Sequence, residues 1–407
     1  MAGSSKDLRS AGLVGYKATS DVIGKASVLA VLMIAARALP TPDFGLLALA
    51  TTLGWIASVA SDFGLQLYLG RMIARTTHPG SVLWPLFRFR LQTGALAIAL
   101  LAAVTVSLVP AAATLSFLLV ATAPLVTSVT EFLNYAYRGL GRSELESTLS
   151  LAQRLLGLVL VWAGLQWQPS LFSVGIALCI SAGAALVASV VIARGLTRGM
   201  AAGPSVLPLT PRQWGREVAP IGIGLVLSAL YFRVDVFLLE RWTGLEAVAL
   251  YSAAFRLVDA LRLAPAAVLA VVLPRLFGAR DARFARHLAV GLTAFALVVT
   301  AVGWPLASWI MRTAYGPAYD DAATMLQVLL LSFPLLALNY SLTHQLIGWD
   351  RQRAYAVICA LALGVNLSLN LWLIPRLGGI GAAWSTLGTE IALTIACLFV
   401  IQRAHTS

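Results

Sequence analysis

The sequence predicts an all-α polytopic membrane protein of about twelve transmembrane helices. Three observations predict it. Of 407 residues, 59% are hydrophobic and only 11% are charged, and the mean hydropathy is +0.85. A soluble domain carries about 25% charged residues, because charges cover its surface. The chain also falls into apolar runs of about the 20 residues that cross a bilayer. Finally, Lys and Arg recur mainly in the breaks on one side, as the positive-inside bias leads one to expect. Twelve spans leave only short connections, so neither a disordered chain nor one with a soluble catalytic domain fits.

The spans are expected at 18–38, 44–69, 90–109, 113–136, 145–166, 171–193, 218–240, 246–273, 289–310, 322–346, 354–375 and 379–401. The first follows Lys6, Arg9 and Lys17 and is read as uncleaved, since Leu39-Pro40 is no small-residue cleavage site. The second and eighth are long enough to require tilt. With both ends on the cytoplasmic side, only Arg37, Arg241, Arg312 and Arg376 face outward. Lys25, Arg154, Arg233, Arg256 and Arg262 lie inside spans, and the remaining Lys and Arg, Arg90 among them, fall on the cytoplasmic side. A missed span would scramble this alternation.

The longest polar connection contains Gly195, Gly199, Gly203, Pro204, Pro208 and Pro211 and reads as a linker. The expected organisation is a six-helix lobe at 1–194, a cytoplasmic linker at 195–217 and a second six-helix lobe at 218–407. Phe44-Gly45-Leu46-Leu47-Ala48 opens the second span and Val248-Ala249-Leu250-Tyr251-Ser252 sits at the same place in the eighth. Gly139-Leu140-Gly141-Arg142 and Gly348-Trp349-Asp350-Arg351 follow the fourth and tenth. Two matches at nearly one offset suggest an internal duplication, and parallel six-span repeats are a transporter architecture.

Several chemistries lack their residues. Gly24-Lys25-Ala26-Ser27 has neither the leading glycine nor the helix context of a phosphate-binding loop. His78, His287, His344 and His405 make no metal spacing, so no metal site is expected. Cys179, Cys359 and Cys397 lie in apolar runs and read as small buried hydrophobes. The short external loops give no room for an enzyme's active site, so no enzymatic activity and no cofactor are expected. The net charge of +12 follows from topology and implies no nucleic-acid partner.

The informative residues are the ionisable ones inside spans, each costing about 2.5–3.5 kcal/mol at a helix centre. Asp21 and Lys25 share one face of the first span. They read either as a self-neutralising pair or as a lysine in a water-filled cavity. Arg154 lies in the fifth span beside Gln153, as a cavity cation or a helix–helix bond. Arg233 and Asp235, two apart, point to different faces, so Asp235 needs a partner on another helix. Arg256, Asp259 and Arg262 form one stripe of net charge +1 on the eighth span. Asp62 and Glu131 fall near cytoplasmic ends and suit interfacial capping or pairing. Glu390 is deep in the last span, and Asn366 and Asn370 share a face suited to interhelical hydrogen bonds.

At these residues the chain resembles the multidrug/oligosaccharidyl-lipid/polysaccharide exporter superfamily, and within it the Wzx-type flippases of polysaccharide repeat units. The likeness is carried by Asp43-Phe44-Gly45-Leu46, Asp62-Phe63-Gly64-Leu65 with Arg71 and Arg75, and Arg138-Gly139-Leu140-Gly141-Arg142. It continues through Asp235, Tyr251 to Leu257, Leu273-Pro274, Tyr315-Gly316-Pro317-Ala318-Tyr319, Asn366 through Pro375, and Gly378 to Ala383.

The resemblance implies two six-helix lobes around a central cavity, working by alternating access in a bacterial inner membrane. It implies as cargo an undecaprenyl-pyrophosphate-linked oligosaccharide, moved from the inner to the outer leaflet for O-antigen, lipopolysaccharide or exopolysaccharide assembly. A polysaccharide polymerase and its chain-length machinery would be downstream partners. Relatives place basic residues on the first and eighth helices, and Lys25 and Arg256 or Arg262 fit that pattern as the expected pyrophosphate cations; Arg154 of the fifth span is a further candidate. The second helix departs from that pattern, with Asp62 and no basic residue. Asp21, Asp235, Asp259 and Glu390 are the acids at which a proton or sodium gradient could couple or gate. Sugar contacts would fall on residues such as Tyr231, Tyr251, Trp349 and Trp384. The rival reading is a cation-coupled multidrug exporter of the related branch; the basic stripe disfavours it.

Overall fold

The computed structural model describes residues 2–198, 214–269, 272, 282–349 and 351–406. Among them every long element is helical. In order these are α1 (Ala2–Ala38), α2 (Thr41–Asp62), α3 (Leu65–Ile73), α4 (Pro79–Leu108), α5 (Ala111–Gly139), α6 (Ser143–Trp167) and α7 (Leu171–Thr197). Then come α8 (Ala219–Thr243), α9 (Leu245–Leu261), α10 (Ala282–Gly303), α11 (Ala307–Tyr315), α12 (Ala322–Gly348) and α13 (Gln352–Thr406).

Ten helices are long and apolar enough to cross a membrane among the described residues. The last of these runs through 50 residues and contains a break at Gly378 (φ 57°, ψ −134°). A break with positive φ suits glycine, which has no Cβ to clash, and it turns one element into two spans. Helix α9, with 17 residues, is about 26 Å long and completes the twelve.

The second span differs from expectation. It is not one tilted helix over 44–69 but breaks at Phe63 (φ 46°) and Gly64 (φ 85°). The Asp62 carboxylate accepts the Gly64 N–H at 3.2 Å, and the Phe63 ring stacks on Trp214 at 5.3 Å. Side-chain capture of a freed backbone N–H is how Asp competes with helix continuation. The eighth span also stops early, at Leu261, and helix resumes over 263–269. Leu273-Pro274 and most of the expected linker, 199–213, lie outside the described residues.

The chain divides into two compact units, residues 1–39 with 49–229, and residues 40–48 with 230–407. In the first, α5 is central and packs against α7, α4 and α3, while α1 packs on α6. Close approach depends on small residues, as in membrane helix packing. A Cβ on Gly54 would collide with the Ala121 carbonyl oxygen. The inner core is Leu65, Leu69, Phe87, Phe132 and Tyr137. In the second unit α12 is central, against α13, α10 and α9, and Gly45 lies flush on the Leu245 carbonyl.

The outer faces are apolar: Leu96, Leu100, Val106, Val159, Val187 and Ile395 are all exposed. Two expectations are corrected here. Cys359 is exposed on that outer surface with Val357 and Leu361, and Cys179 is only half-buried; Cys397 alone of the three is buried. Arg90 does not open its helix. Helix α4 starts at Pro79, so Arg90 falls in its interior and is fully buried.

Candidate substrate site

In the second unit, α8 and α9 bring three arginines together. The Arg233 guanidinium lies over the Phe255 ring at 4.6 Å. Arg262 approaches the same ring at 5.9 Å and the Phe232 ring at 5.1 Å. Arg256 lies within electrostatic range of Arg233, Asp259 and Tyr315. Cation–π contacts are worth about 0.5–2 kcal/mol, and here they hold like charges near one another.

The acids around them are differently placed. Asp259 pairs with Arg262 at 3.6 Å and keeps 40% of its side chain exposed. Asp235 is buried; Tyr251 of α9 donates to one oxygen and the Val236 N–H to the other, at 2.9 Å. Glu390 is buried in α13 and accepts from Asn339 Nδ2 at 2.7 Å, while Thr394 donates to Asn339 Oδ1 at 2.8 Å. Asn370 donates to Asn366 at 2.9 Å, and Asn366 to Thr389 at 3.2 Å. Arg233 and Arg256 join no ion pair among the described residues. Arg233 and Arg256 thus present guanidinium donors that no described carboxylate holds in an ion pair, beside apolar rings, which suits an anion with several oxygens.

The first unit holds the other expected cations. Lys25 and Asp21 are both exposed on α1, with no ion pair between them among the described residues. Arg154, half-buried on α6, lies across α1 at Gly24, where an added Cβ would meet its Nη1 at 2.5 Å. Gly24 therefore makes room for a guanidinium. Glu131 is exposed on α5, with Arg154 as its strongest charged neighbour.

Two residues carry roles that their position in the sequence does not show. Arg90 faces Asp62 at 3.5 Å and donates to Ser128 at 2.5 Å. This pair is buried, and Asp62, the last residue of α2, also holds the Gly64 N–H. Pro79, a favoured first helical residue, is the signal that α4 starts early enough to bury Arg90. Arg233 joins Arg262 through Phe255, a contact between helices that spacing along one helix does not reveal. Of the candidate sugar contacts, Tyr251 is occupied by Asp235, while Trp384 is exposed.

A model of the polysaccharide biosynthesis protein family matches residues 14–279. The chain belongs to this family. The MatE model also matches, over residues 220–372. Together with the fold, the two matches place this family member in the multidrug/oligosaccharidyl-lipid/polysaccharide exporter superfamily. A multidrug resistance MATE family transporter in an inward-facing conformation is 15% identical, with a TM-score of 0.74, covering 94% of this chain and 95% of that one. The lipid II flippase MurJ, in an inward closed conformation, is 13% identical, with a TM-score of 0.66, covering 95% and 87%. The MATE transporter VcmN of Vibrio cholerae, in its bent form, is 15% identical, with a TM-score of 0.57, covering 97% and 96%. A probable multidrug resistance protein NorM of Caulobacter vibrioides is 38% identical over 90 residues. That match spans 20% of this chain and 19% of the relative's length. This polysaccharide biosynthesis family member is a polytopic integral membrane protein with the fold of a transporter.

Proposed function

We propose that the chain is a flippase for lipid-pyrophosphate-linked oligosaccharide repeat units. It carries them from the cytoplasmic to the outer leaflet of a bacterial inner membrane by alternating access, with both termini cytoplasmic, and does no covalent chemistry on them. The observation that carries this reading is the arginine group on Phe255. A pyrophosphate crossing a low-dielectric region needs its charge matched, and Arg233, Arg256 and Arg262 supply cationic donors suited to phosphate oxygens, two of them held in no ion pair among the described residues. Lys25 and Arg154 add cations in the first unit. Asp235 and Glu390, buried and hydrogen-bonded, are suited to gating or ion coupling rather than cargo contact; Asp21, exposed, and Asp259, half-buried, are less so. A polymerase acting on the delivered repeat units would be the downstream partner.

A second reading, export of organic cations coupled to protons or sodium, draws on the NorM stretch and the MatE match. Reconstituted protein separates the two. The flippase reading expects protein-dependent exposure of a radiolabelled lipid-pyrophosphate oligosaccharide on the opposite leaflet and no efflux of a cationic dye. Dye efflux without lipid exposure would favour the exporter.

A further inference from the structure

The Tyr315-Gly316-Pro317-Ala318-Tyr319 segment has no role in the pyrophosphate site described above. Helix α11 ends at Tyr315, Gly316 turns the chain (φ 97°), and Pro317 opens a short 3₁₀ turn that closes on Tyr319. The turn brings the two phenol rings to 5.5 Å. Phe44, in the first turn of α2, packs on both, at 6.3 Å and 5.7 Å. Arg312 pairs with Asp320 on the exposed side of the turn.

Both tyrosines are buried, at 1% and 0% exposure, and both hydroxyls are buried without a hydrogen-bond partner. Apolar packing alone would be served better by phenylalanine, which has no hydroxyl to leave unpaired. Burial pushes both phenols up from their ordinary range, so they stay protonated and can donate as well as accept. Arg256 of the arginine group lies within electrostatic range of Tyr315.

We propose that Tyr315, Tyr319 and Phe44 form a recognition site for the sugar bonded directly to the pyrophosphate, occupied when the first turn of α2 withdraws. The inference rests on the flippase reading. A sugar attached to a phosphate held at Arg256 must lie beside that arginine, and Tyr315 is there. A pyranose offers hydroxyls to the two phenols and C–H faces to the three rings. The present closed arrangement leaves the hydroxyls unpaired, and cargo pairs them.

The test uses the full chain in proteoliposomes with Tyr315→Phe, Tyr319→Phe and the double variant. Two probes are compared, undecaprenyl pyrophosphate and the same carrier bearing a sugar. The ratio of sugar-bearing to bare flipping rates is expected to fall about tenfold in the double variant, with a melting temperature equal to or above wild type. Three results would overturn the site: an unchanged ratio, equal slowing of both probes, or a lowered melting temperature. The last would mean that the hydroxyls are already satisfied. Wild-type protein that flips neither probe would instead refute the flippase reading, and the sugar site with it.

Discussion

The Arg154 guanidinium rests on Gly24 of α1, so closely that a Cβ there would come 2.5 Å from Nη1 and 2.8 Å from Cδ. The obstructed group is the end of a flexible side chain, so it can swing away. Alanine also favours helix over glycine by about 1 kcal/mol. Gly24→Ala is therefore expected to keep or raise thermal stability while displacing the Arg154 charge and slowing transport. Melting temperature and flipping rate measured together check this; a loss of both would mean that Gly24 is only a packing residue.

Phe255 holds two guanidiniums, Arg233 at 4.6 Å and Arg262 at 5.9 Å. A charge-assisted hydrogen bond contributes about 1.5–3 kcal/mol, equivalent to roughly 10- to 150-fold in rate if it is lost from the crossing state. Arg233→Ala is expected to slow flipping by that order at normal membrane abundance. Arg233→Lys should recover part of it, because lysine restores charge but not the planar fork. Flipping assays beside immunoblots of membrane fractions give the answer, and wild-type rates in Arg233→Ala would remove it from the site.

Asp62 and Arg90 face each other in the interior of the first unit. Removing one partner of a buried pair leaves a bare charge and costs about 3–5 kcal/mol. Arg90→Gln is expected to lower the melting temperature sharply, and Asp62→Asn added to it should restore most of the loss. Thermal unfolding of the purified variants in detergent measures this coupling. Additive losses would show that the two side chains act independently.

The span pattern is readable in the sequence because a bilayer imposes length and polarity on every helix, and because Lys and Arg mark one side. The stripe Arg256–Asp259–Arg262 is readable for a related reason: it lies on one helix at a helical period. Contacts between helices and local breaks do not show in this way. Arg233 meets Arg262 only through Phe255 on α9. Hydropathy starts the third span at Arg90, whereas α4 begins at Pro79 and carries that arginine into the interior. The Phe63–Gly64 break is hidden because its apolar residues continue the hydropathy of the span, while a side-chain bond from Asp62 ends the helix. Tyr315 and Tyr319 stand in a visible motif, but their unpaired hydroxyls exist only in three dimensions.

The topology has its own test. In a cysteine-free background, a cysteine replacing the exposed Thr77, between α3 and α4, is expected to react with an impermeant thiol reagent only from the cytoplasmic side. One replacing the exposed Gln168, after α6, should react only from outside. The opposite pattern would invert the chain in the membrane.

The central claim is that the arginine group of the second unit carries a pyrophosphate across. The most direct measurement is protein-dependent exposure of a radiolabelled lipid-pyrophosphate oligosaccharide in proteoliposomes, for wild type and Arg256→Ala at matched protein levels. The account predicts exposure by the wild type and its loss in Arg256→Ala. Equal exposure by both proteins would contradict it.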